Sequence, residues 1–144
     1  SDSHLDFDLD LAKKQSTENP VYYIQYAHAR ICSVLKEVEN RGIQWNPEDG
    51  FNEEVLSSSE EKKLAATLSS FADVAEKAAV EMAPHVIASY ALDLAGDFHS
   101  FYNSGRIIGE SEDVMKARLF LAKATGSVLA TILGILGISA PERM

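Results

Sequence analysis

The stretch NPVYYIQYAHARICSVLKEVENRG, residues 19–42, decides the fold class. Asn19 is a good N-cap, Pro20 suits the first helical position, and Gly42 offers a C-terminal stop. Between them Ile24, Ala27, Ile31, Val34, Leu35 and Val38 recur at helical spacing and form one apolar stripe. The spacing predicts a helix over 20–41. Tyr23, Tyr26 and Arg30 share a neighbouring face, about 100° away on the same wheel. Ser33 and Glu37 follow on positions that suit water. Two rings and a guanidinium therefore stand at the margin of a core, and the trio admits two readings. Tyrosine in such a place covers neighbouring helices while its hydroxyl stays wet. The same trio can also stack on and hydrogen-bond unpaired bases.

The rest of the chain reads as helix too. Residues 43–57 hold Asn46, Pro47, Asp49 and Gly50 and read as a loop. Ser58 followed by Glu61 is a capping box that opens a second helix near 59–69. Ser69 and Ser70 suggest a break before a third helix, which reaches about Ala83. Pro84 starts a fourth to about Asn103, with Gly105 beyond it. Ser111, with Glu112 and Asp113 behind it, starts a fifth. That helix is apolar nearly all round from Leu119 to Ile138, the pattern of a central buried helix, and Gly137 and Pro141 end it. With no convincing strand run, the expected fold is all-α, a bundle of about five helices.

Composition agrees with one domain. The 144 residues are 46% apolar, enough for a single core. The lone cysteine, Cys32, rules out a disulfide framework or a zinc cluster of cysteines. A reduced, cytoplasmic setting is the expectation, with no signal pattern at the start. The most apolar run, GSVLATILGILGI, falls short of the ~20 residues a bilayer span needs. Extending it backward meets Lys123 and Arg118, so a core helix and no membrane association are expected.

The net charge of −9 argues against indiscriminate nucleic-acid binding. That charge is concentrated, however. Residues 1–12 carry four acids and residues 46–61 carry six, with no Lys or Arg in either segment. The remainder is near neutral, so a local aromatic or basic site is compatible with the total.

Catalytic patterns are lacking. Of the four histidines, Glu81 and His85 have the wrong spacing for a di-iron Glu-x-x-His motif and Pro84 intervenes, while Asp97 and His99 lie on different helix faces. There is no glycine-rich phosphate loop and no nucleophile elbow. Cys32 has no evident activating neighbour. The fourth helix repeats the aromatic theme instead. Ile87, Tyr90, Ala91, Leu94, Phe98 and Phe101 form its core stripe, and Tyr102 sits on the flank with Ala91 and Ala95. Small residues beside Tyr102 leave room at its ring face. Tyr102 and the Tyr23/Tyr26 pair line one groove if the two faces meet, which spacing does not decide.

Three segments carry a family resemblance. HLDFDLDLAKKQSTENPVYYIQYAHARICSVL resembles the junction at which arginyl-tRNA synthetases pass into their C-terminal anticodon-binding bundle. ASYALDLAGDFHSFYN resembles the signature helix of that bundle, the DALR domain, and DVMKARLFLAKATGSVLATILGILGISAPERM resembles its final helix and terminus. The letters DALR themselves do not occur, and Ala72 stands where the family often has proline. Motifs like the HIGH and KMSKS signatures of a class I catalytic domain are missing, so the resemblance is to part of a larger enzyme.

The resemblance implies a junction segment over 1–17 and an anticodon-binding bundle over 18–144. It implies a role in joining arginine to its tRNA, with the anticodon loop of tRNA(Arg) and the enzyme's own catalytic domain as partners. No cofactor is implied in this segment; ATP, with magnesium, belongs to the catalytic domain. Tyr23, Tyr26 and Tyr102 match aromatic positions of the motifs, and Met144 matches a terminal methionine that approaches the loop. Arg30 is added from the helical wheel, as a phosphate or stacking partner. The alternatives are a protein-interaction module with an aromatic groove, or the related bundle of the cysteinyl or methionyl enzyme.

Overall fold

In the computed structural model, which describes residues 19–144, five α-helices follow one another. They are α1 (Pro20–Asn40), α2 (Ser59–Ser69), α3 (Phe71–Val80), α4 (Pro84–Ser104) and α5 (Glu112–Ile135). No strand occurs among the described residues. The junction segment expected over 1–17 lies outside them.

Local chemistry sets most helix ends. The Asn19 side chain accepts from the Val21 amide at 3.0 Å, which satisfies one of the donors that every helix start leaves unpaired. At the far end of α1, Gly42 takes a left-handed conformation (φ 68°) and the Ile43 amide turns back to the Val38 carbonyl. The capping box forms: Ser58 Oγ accepts from the Glu61 amide at 3.1 Å, and Glu61 Oε1 accepts from the Ser58 amide at 3.0 Å. Helix α3 stops at Val80, short of the expected Ala83, because Pro84 drives the residue before it out of the helical region. Ala83 accordingly has φ −120°, ψ 78°, and Met82 takes a positive φ in the turn. The expected loop at 43–57 contains two short 3-10 turns, Pro47–Asp49 and Glu53–Val55, each opened by an asparagine side chain that accepts a main-chain amide.

The hub differs from the expectation. Helix α4 touches all four other helices, whereas α5 keeps an exposed face. Counting Gly and Ala as apolar makes 119–138 look uniform, but Lys123, Ser127, Thr131 and Gly134 recur along the exposed side of α5. Helix α5 is long and apolar enough to cross a membrane by length and composition, yet here it packs against α1, α2 and α4. Its approach to α1 is close. A Cβ on Gly126 would lie 2.9 Å from Ile31 Cγ2, so that crossing needs a residue without a side chain.

One ion pair joins α5 to the start of α2. Arg118 Nε donates to Glu61 Oε2 at 3.1 Å, the Arg118 side chain also reaches the Arg106 carbonyl, and Glu110 lies beside it. The Glu61 side chain is only 2% exposed and that of Arg118 19%. Burial pushes the Glu61 carboxyl upward, but the Ser58 hydrogen bonds and Arg118 more than offset this and hold it below its ordinary value of 4.5. Glu61→Ala leaves Arg118 without its carboxylate and should cost about 3 kcal/mol in a urea or thermal melt. Because the folded carboxyl titrates lower than the unfolded one, its contribution is complete above 4.5 and is lost as pH falls through the folded value. Glu61→Gln should flatten that part of the acid limb of the stability profile.

Candidate nucleic-acid interface

Tyr23, Tyr26 and Arg30 leave α1 on one flank of its core stripe, and Tyr102 leaves α4 beside Phe98. The two flanks meet where α1 packs on α4, and there a Cβ on Gly96 would lie 3.8 Å from the Tyr23 hydroxyl. Arg30 ends between them. Its guanidinium carbon lies 4.3 Å from the centroid of the Tyr102 ring and 5.1 Å from that of Tyr26. Nη2 donates to the Tyr26 hydroxyl at 3.4 Å and Nη1 donates to His99 Nδ1 at 3.2 Å. Four of the five residues singled out in the sequence thus come together across two helices. All four are half-buried, neither sealed in the core nor wholly in water.

The groove is not empty in the way the helical wheel suggests. Small neighbours leave space at the Tyr102 ring, and Arg30 fills it. Two further side chains complete the cluster. The His99 ring packs 4.8 Å from Tyr23 and 5.7 Å from Tyr26, and Tyr22 stacks on Tyr26 at 6.4 Å. Both were legible in principle. His99 follows Ala95 by four residues and precedes Tyr102 by three, so it shares their face; Tyr22 precedes Tyr26 by four. Treating each histidine singly, as a candidate metal ligand, hid this. Among the described residues no three metal-ligating side chains gather.

An arginine cannot accept a hydrogen bond, so the contact with Arg30 fixes the lone pair of His99 on Nδ1 and its proton on Nε2. Nε2 is buried and has no hydrogen-bond partner. Burial, then the Arg30 charge, pushes the His99 pKa below the ordinary histidine value, with the Tyr23 main chain acting the other way. Tyr23 is pushed up, by burial first and then by Asp97. Its ring also borders a trough of about 650 Å³, where Thr67 donates to Asp97 at 2.6 Å and Lys63 lies 3.4 Å from the same carboxylate.

Met144 stands apart from this cluster. Beyond α5 the chain returns along the other flank of α1. Gln25 Nε2 donates to the Ser139 carbonyl at 2.9 Å, and His28 Nδ1 donates to the Pro141 carbonyl at 2.9 Å. Glu142 follows near Cys32, whose thiol is pushed up by burial and by that carboxylate and is therefore not activated. Met144 itself is half-exposed.

Aromatic rings and a guanidinium at an interhelix margin of a five-helix bundle are groups able to stack on and hydrogen-bond unpaired bases. The family model for the DALR anticodon binding domain matches residues 24–144, and the chain belongs to that family. It is 49% identical over 144 residues to an arginine–tRNA ligase of Thioalkalivibrio sulfidiphilus, covering 99% of this chain and 25% of that protein. The arginyl-tRNA synthetase of Thermus thermophilus superimposes with a TM-score of 0.73 at 33% identity, over 92% of this chain and 22% of that one. A Campylobacter jejuni structure does so with a TM-score of 0.79 at 28% identity, over 96% of this chain and 29% of that one. The chain spans about a quarter of the length of the curated relatives it matches.

The tail and the cluster occupy different flanks of α1, which gives a simple test. His28→Ala removes the donor to Pro141 and should make the 139–144 segment about fivefold more open to proteolysis. The ring resonances of Tyr26 and Tyr102 should stay in place.

Proposed function

We infer that this chain is the anticodon-binding part of an arginine–tRNA ligase, and that it holds the anticodon loop of tRNA(Arg) while a catalytic domain of the same polypeptide joins arginine to the tRNA. The observation that carries the reading is the convergence of Tyr23, Tyr26, Arg30 and Tyr102 from two helices, within a chain of the DALR family. Met144 is a further RNA-contacting candidate, brought to the loop from the other flank of α1. The domain needs no cofactor for this task; ATP and magnesium serve the catalytic domain. The setting that fits is the cytoplasm, with no membrane partner.

Arginine codons imply anticodons with C in the middle and G or U after it. A ring stacked on an unpaired base contributes about 1–3 kcal/mol and needs no excess positive charge. Identity then comes from hydrogen bonds to the exposed base edge, for which Arg30, the tyrosine hydroxyls and main-chain groups are the donors at hand. This division suits an acidic domain, with most phosphate contacts supplied by the catalytic part. Arg30 is then both a filler of the free cluster and a ligand-facing cation held beside the Tyr102 ring.

Two measurements test the reading. Tyr102→Ala should weaken binding of an RNA stem-loop carrying the arginine anticodon by about tenfold, with little change in melting temperature. A stem-loop with an altered middle base should compete poorly, whereas a helical peptide that competed better would favour a protein-interaction role. Binding by the 144-residue chain alone should be weak and should fall as salt rises. Tight, salt-independent binding would contradict the assignment of phosphate contacts to the catalytic part.

A further inference from the structure

His99 is half-buried with its Nε2 atom out of reach of water, and the stacking account above gives it no task. We propose that His99 is a positioning residue for the RNA-binding surface, acting through Arg30: as a neutral ring it accepts the Arg30 Nη1–H and sets the guanidinium against Tyr26 and Tyr102. The proposal rests on the reading of that surface as an RNA site. A lone structural histidine in a helix seam would be free to use either tautomer. Here the tautomer is forced, because the partner of Nδ1 is a group that can only donate. The forced tautomer leaves the Nε2 proton buried without a well-formed hydrogen bond, and of the polar groups near the ring the Tyr23 main chain is the one that favours its charge. Aromatic rings stand on either side, Tyr23 at 4.8 Å and Tyr26 at 5.7 Å, so the imidazole cannot swing away without opening the seam between α1 and α4.

The titratable and charged groups facing this imidazole are Arg30, Tyr23 and Tyr26 from α1 and Tyr102 from its own helix. Asp97, two residues away, points to α2, where Thr67 and Lys63 hold it. Protonation of His99 removes the lone pair that holds Arg30 and sets a second cation against it. The guanidinium then loses its registration over Tyr102. Burial and the Arg30 charge both oppose that protonation, so the surface stays assembled at neutral pH and comes apart only below the ordinary histidine value of 6.5.

The 144-residue chain suits nitrogen-detected NMR of its imidazoles. At neutral pH His99 should show a proton on Nε2 and an unprotonated, hydrogen-bonded Nδ1, titrating below 6.5. Binding is read with a synthetic RNA stem-loop bearing an arginine anticodon. His99→Leu should weaken it about fivefold, while His99→Asn, which keeps an acceptor near the Nδ1 place, should restore most of the loss. In an Arg30→Met background His99→Leu should add almost nothing, since its effect passes through Arg30. Wild-type affinity should hold above pH 6.5 and fall below it, and the fall should vanish in His99→Asn.

A proton on Nδ1, or a His99→Leu defect that persists at full size without Arg30, overturns the proposal. So does a loss of melting temperature with no change in affinity or in the pH profile. Tyr102→Ala separates the two levels. If it weakens RNA binding while His99→Leu does not, only the positioning role falls. If Tyr102→Ala binds as wild type does, the RNA-site reading fails and the role of His99 with it.

Discussion

Helix α4 touches its four neighbours because its packing face mixes residues of very different size. Phe98 and Phe101 are buried in the core together with the small Ala91 and Ala95. Where α1 packs on α4, Arg30 of α1 comes within 4.3 Å of the Tyr102 ring. The candidate surface therefore depends on how the two helices pack one layer below it. Gly126 plays the matching part on the other side of α1, where α5 presses against Ile31.

The margin of a core is a physically apt place for base stacking. Rings held there are rigid, since half of each is packed, and they lose little freedom when a nucleotide arrives. A single guanidinium among them serves three tasks in the free protein. It shields the ring faces from water, bonds to a hydroxyl, and fixes a histidine tautomer. None of this calls for a basic surface, and the ten acids at 1–12 and 46–61 belong to other segments of the chain. The near-neutral body and the aromatic margin together suit recognition by shape and base edge more than attraction by charge.

Several ties between elements lie away from the candidate RNA site. The Glu61–Arg118 pair ties the start of α2 to α5, and the Asp97–Thr67 bond ties α2 to α4. The tail from Ser139 to Pro141 is bonded along the other flank of α1. Each is a hydrogen-bonded tie between elements, and none uses the rings that face the candidate RNA site.

Periodicity and capping chemistry determined the five helices, their order and their core stripes, since these depend on residues within a few positions of each other. Asn19, Ser58 and Gly42 behave as their local chemistry requires. The Tyr23, Tyr26 and Arg30 face was legible for the same reason, and the family motifs placed Tyr102 with it. Only tertiary structure decided that α4 and not α5 is the hub, because apolar content does not reveal which neighbours cover a helix. It alone placed the Arg30 guanidinium over the Tyr102 ring, His99 as its acceptor, and the terminal tail on the opposite flank. Those are contacts between residues 69 or more positions apart, or directions taken by a chain after its last helix. Spacing along one helix says which side chains share a face, and the way helices cross says what that face meets.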